Sequence, residues 1–200
     1  MAPPKSYHAR NAAMERFIEP LKRSVMSFAD GVLSYQTPDL GSEASIVLND
    51  VLTPTRLDKR AGFGEQLGVM AVLYVRMGVV DDKPSVTTIG YNHSLWVAGQ
   101  ETVSYHWHPA NTPHVAFPHL HFNKGREHIP TGRVLLEDLF LAALEYGAKP
   151  RPRWKHCFIE SYDAFESDAT WGRATKEQNR VRADWLNRWD ESGNPVDEGL

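Results

Sequence analysis

The sequence predicts an α+β domain, a small antiparallel meander flanked by N-terminal, central and C-terminal helices. Three observations carry this. LGVMAVLYVRMGVV, residues 67–80, is dense in β-branched and large apolar residues and has no helix cap before it. Two more strand-like runs, VTTIGYNHSLWVAG (86–99) and ETVSYHWH (101–108), follow across short turns, as hairpin-linked neighbours do. Residues 11–29, 132–146 and 175–190 instead space their apolar residues at helical intervals.

Taken in order, 11–29 has the stripe Met14, Phe17, Ile18, Leu21, Val25 and Phe28. Pro20 is expected to bend this helix or to mark its true start. SIVLNDV reads as a short strand and TPTRLDKRAGFG as irregular chain. Asn92 and His93 are expected to mark a bulge or break in the second long strand. Residues 109–118 form a Pro-rich loop, after which LHF returns to the sheet edge. Thr131 is the expected N-cap of the central helix, and Gly147 its C-cap, with Pro150 and Pro152 beyond. HCFIESYDAF suggests another strand, and the last helix should turn Val181, Trp185, Leu186 and Trp189 inward.

At 200 residues the chain suits one domain with a real core, residues 1–10 and 191–200 being expected as flexible tails. A formal charge of -3 exerts no global pull on nucleic acid or anionic membrane, although a local patch still can. The single Cys157 excludes an internal disulfide framework and a cysteine-rich zinc site. No signal-like or transmembrane-length apolar run appears, so no membrane partner and a cytoplasmic location are expected.

Function concentrates in YHWHPANTPHVAFPHLHFNKGREH, residues 105–128, which holds six of the nine histidines. His106 and His108 are two apart and share a strand face; His119 and His121 do the same. The proline-stiffened loop between them returns the second pair toward the first. The convergent histidines suit two chemistries. Imidazoles on opposite sides of a phosphodiester can deprotonate a ribose 2′-hydroxyl and protonate the leaving oxygen, which predicts RNA over DNA. Here His106 and His121 are the opposed acid and base, and His108 and His119 position or tune them. Lys124, Arg126 and Arg133 contact phosphate, and His114 and His128 complete the substrate contacts. This route needs no cofactor. Alternatively, His106, His108, His119 and His121 hold zinc or another divalent ion, with Glu101 or Glu127 nearby, and the protein is a metal-dependent hydrolase. Against both stands the plain reading in which strand-face histidines only cap carbonyls or stack on aromatics.

Outside this segment, AKPRPRWKH interleaves Lys149, Arg151, Arg153 and Lys155 with Trp154, suiting either phosphate contact and base stacking or a solvated loop. Gly125, in NKGREH, could let the backbone approach an anion closely. The tryptophans on the helices suit a third possibility, a non-enzymatic protein that binds a partner or nucleic acid.

The motifs YHWH, TPH, FPHLHF, HIPTGR and LLEDLF, within residues 91–145, together resemble the TumE-like toxin family of prokaryotic toxin–antitoxin modules. That resemblance implies a small sheet with helices, action on nucleic acid, a cognate antitoxin as protein partner, and roles for His106, His114, His119 and His121. The chain is about twice the length expected of the family, and its HLH spacing is narrower. The resulting expectation is a toxin-like ribonuclease.

Overall fold

The computed structural model describes residues 6–62, 66–108, 117–123, 125, 127–167 and 176–196. Along the chain these form α1 (Tyr7–Met26), β1 (Leu33–Tyr35), β2 (Glu43–Leu48), β3 (Thr55–Arg56), β4 (Leu67–Val80), β5 (Lys83–Val97), β6 (Gln100–Trp107), β7 (His119–Phe122) and β8 (Ile129–Pro130). Three helices follow: α2 (Leu136–Glu145), α3 (Trp154–Ser167) and α4 (Lys176–Asn187). The described strands form one open antiparallel sheet in the order β1-β2-β4-β5-β6-β7-β8, with β3 also paired to β4. From β4 onward it is the expected meander.

Two tight hairpins set the register. Val80 pairs with Lys83 across Asp81 and Asp82, and Val97 pairs with Gln100 across Ala98 and Gly99. All four turn residues have positive φ, the type I′ geometry whose twist matches the flanking strands. Along β4, Leu67, Val69, Ala71, Leu73, Val75 and Met77 are buried on one face. Helices α1 and α2 lie against β5, α2 also against β4, α3 packs on α1, and α4 on α3. The opposite face, carrying Met70, Val72 and Tyr74, is partly open.

Bulges decide which residues reach that open face. Tyr74 pairs with Gly90 but Val75 with Thr88, leaving Ile89 extra; Leu95 pairs with Val103 but Trp96 with Glu101, leaving Thr102 extra. Each extra residue inverts the alternation beyond it. The bulges therefore fall on either side of Asn92 and His93, not at them as expected. Gly90 sits beside the first. A Cβ there would lie 2.6 Å from the Trp107 carbonyl oxygen. Gly90→Ala should therefore cost about 1–3 kcal/mol of stability, measurable by urea denaturation, by pushing β6 off β5.

Several element expectations need correction. Helix α1 begins at Tyr7, capped by Ser6, whose hydroxyl accepts from the Ala9 N–H. Pro20 lies buried inside it without ending it, because apolar packing on both sides outweighs the lost hydrogen bond. Helix α2 begins at Leu136, with extended Leu135 as N-cap, not after Thr131. Its C-cap is Tyr146, one residue before the expected Gly147, which follows in the left-handed region with φ +85°; the Ala148 and Gly147 N–H groups donate to the Ala143 and Leu144 carbonyls.

HCFIESYDAF is helical, not a strand. Trp154, Phe158, Ser161 and Tyr162 are buried at helical spacing. Trp154 and Phe158 close an aromatic cluster on Phe28, at centroid distances of 5.6 and 5.5 Å. In α4, Leu186 is buried, as is Trp189 just beyond it, but Val181 is 56% exposed and Arg182 takes the inward position. Past α4, the Asp190 carboxylate accepts from the Ser192 and Asn194 N–H groups in a turn that pairs Trp189 with Pro195.

Candidate metal centre

Strands β6 and β7 pair so that His106 stands opposite His119, and Ser104 opposite His121. Cross-strand partners share a face, so both His-x-His pairs project to the open side of the sheet. Strand β8 pairs Ile129 with Leu120, bringing the adjacent His128 alongside. Imidazole centroids are 4.9 Å apart for His106 and His121, 5.1 Å for His119 and His121, and 5.6 Å for His106 and His119. His128 lies 4.7 Å from His119 and 4.8 Å from His121, and His108 lies 5.5 Å from His106.

One ring nitrogen from each of His106, His119 and His121 lies within 4.8 Å of the other two. Two of these rings are held from behind. The Nδ1–H of His119 donates to the Phe117 carbonyl and that of His121 to the Gly125 carbonyl, both at 3.0 Å. A carbonyl only accepts, so these bonds place the proton on Nδ1 and leave the Nε2 lone pair free. Histidine ligands to metals are oriented in this way. His106 is uncharged at neutral pH. Its pKa is lowered to about 4, chiefly by burial and then by the neighbouring histidines. Burial also lowers the pKa of His108. Three imidazole nitrogen donors, one on a buried ring and two on partly buried rings, form a set suited to zinc or a similar divalent ion.

Gly125 serves this arrangement. A Cβ there would fall 2.9 Å from the Phe122 carbonyl oxygen, so the tight turn that aims the Gly125 carbonyl at His121 requires its absence. The close approach expected of this glycine is thus made to its own loop. Nothing in the side-chain pattern announced the Phe117 and Gly125 carbonyls as partners.

The remaining candidates fall elsewhere. Arg133 lies with its guanidinium 4.2 Å from the Trp107 ring centroid, and Trp107 points away from His106. His114, Lys124 and Arg126 lie outside the described residues. Glu127 is exposed, whereas Glu101 joins the open face, in register with Trp96, because of the Thr102 bulge. His93 is buried on the helix side, stacked on Tyr91 at 5.0 Å. Trp154 is fully buried and offers no base-stacking platform, and Arg151 is committed to Asp30 and to the Met26 carbonyl. Burial raises the Cys157 thiol pKa, the opposite of nucleophile activation.

The protein is thus an open antiparallel sheet with a three-histidine cluster able to coordinate a ligand or metal. No protein family, curated protein or solved structure matches the chain. Among the described residues no helix is long and apolar enough to cross a membrane.

Proposed function

We propose that the protein is a metal-dependent hydrolase whose ion is held by His106, His119 and His121. The observation that carries this is the pair of backbone hydrogen bonds that fix His119 and His121 through Nδ1 and aim their Nε2 atoms elsewhere, beside the third imidazole of His106. When bound, a zinc-like ion would supply Lewis acidity and an activated water at neutral pH. His128, against two of the three rings, is placed to add a fourth donor or to move a proton. His108, at the edge beside His106, is placed to exchange a proton with the reacting group. Metal-free cleavage of RNA uses the same rings, but it asks for a protonated general acid, and His106 is poorly suited to that at neutral pH.

Metal analysis of protein purified without a histidine tag tests this. About one divalent ion per chain is expected. His119→Ala should weaken binding by more than about 100-fold, and Gly125→Ala by about 10–100-fold through the displaced His121 partner. A folded wild type that neither carries nor takes up a divalent ion would overturn the proposal. RNA cleavage that survives chelation would favour the toxin-like ribonuclease instead.

A further inference from the structure

The histidine cluster opens onto a groove across the uncovered face of the sheet, with a cavity volume of about 360 Å³ and His106 in its lining. Pockets of this size hold compact organic molecules. Val47, Met70 and Val72 contribute its apolar surface from the neighbouring strands β2 and β4. Trp96 adds a flat aromatic ring, its indole N–H donating to the Ser94 hydroxyl at 2.9 Å. Asn92 and Glu101 supply polar groups, one exposed and one partly exposed.

The charge of this lining is informative. Among the described lining residues there is no lysine or arginine, and the one ionisable acid is Glu101. On the same face Arg76 is paired with Glu43, and Arg56, in register with Gly68, lies outside the lining. Among the described lining residues, a polyanion led into the groove would meet a carboxylate and no fixed cation, the reverse of a nucleic-acid track.

We propose that this groove is the substrate subsite of the metal centre and takes a neutral or cationic small molecule with a flat apolar body. This rests on the metal-dependent reading above. The apolar body lies over Val72 and Met70 against Trp96. A hydroxyl or ammonium group is received by Glu101 at the Trp96 end, and the hydrolysable bond is presented at the other end, where Asn92 stands opposite His106.

Three probes of one shape test this on the protein as purified, its metal content measured in the same sample: 2-phenylethylamine, 2-phenylethanol and 2-phenylethanesulfonate. Titration calorimetry should show the amine binding about fivefold or more tightly than the sulfonate, with the alcohol between them. Val72→Trp, which fills the groove, should abolish binding of all three. Glu101→Lys, at the partly exposed rim, should reverse the order of amine and sulfonate. The proposal is overturned if the wild type binds sulfonate as tightly as amine, or if folded Val72→Trp binds the probes like wild type. A metal-free sample that keeps the expected probe order would sink the hydrolase reading alone. A metal-loaded sample that fails the order would sink the groove assignment alone.

Discussion

Asp138→Ala is expected to lower the free energy of unfolding by about 3–5 kcal/mol, because it removes the carboxylate onto which a buried cation is forked. Arg182 of α4 is 8% exposed, and its guanidinium forks onto the Asp138 carboxylate, with Nη2 at 2.9 Å from Oδ2 and Nε at 3.0 Å from Oδ1. Its Nη2 also donates to the Arg133 carbonyl at 3.2 Å. The same carboxylate accepts from the Leu135 N–H at 2.8 Å, satisfying a free donor at the start of α2. One substitution thus removes the counter-ion of a buried guanidinium and a helix cap. Urea denaturation of Asp138→Ala, Arg182→Met and the double variant reads the coupling. The double variant should lose less than Asp138→Ala alone, since it removes the buried charge together with this carboxylate. A loss below about 1 kcal/mol in Asp138→Ala would show that solvent reaches Arg182 freely.

This anchor was hidden in the sequence for a definite reason. Apolar periodicity located α4, but it favoured Val181 as the inward residue, since no rule of spacing says that an arginine one position later will find a buried partner 44 residues away. The long hairpins were legible because each buries one face along many residues, so β4 was read to its ends, from Leu67 to Val80. The segment now seen as α3 was misread because Phe158, Ile159 and Tyr162 also suit a strand. The aromatic contacts with Phe28 decide the matter, and they are tertiary.

The candidate site divides in the same way. Two His-x-His pairs on strands made a shared face readable from alternation alone, and the structure stands His106 opposite His119. Which further groups reach that face was not readable. Glu101 has the parity of the helix side by counting from His106, and only the extra Thr102 turns it to the open face. The carbonyls that fix His119 and His121 belong to the backbone, which carries no residue-specific signature.

His93 should make the fold acid-sensitive, and by an amount the structure sets. It is 1% exposed, and its pKa is lowered from 6.5 to about 3, first because burial disfavours the imidazolium and then through His106. Between those values the unfolded chain binds a proton that the folded chain refuses. Stability from this residue is therefore complete above about pH 6.5 and falls as the pH drops, levelling off below about pH 3. Each pH unit in that window costs about 1.4 kcal/mol, so about 2 kcal/mol is lost by pH 5 and about 5 kcal/mol by pH 3. His93→Phe retains an aromatic ring against Tyr91 but cannot titrate. The buried Glu137, whose pKa is raised by burial, acts in the opposite direction and is common to both proteins. Subtracting one stability profile from the other therefore isolates His93. The variant should gain about 2 kcal/mol relative to wild type between pH 7 and pH 5. Parallel profiles over that range would mean that His93 is protonated in the folded chain, and that the helix-side layer beneath the histidine cluster is open to water.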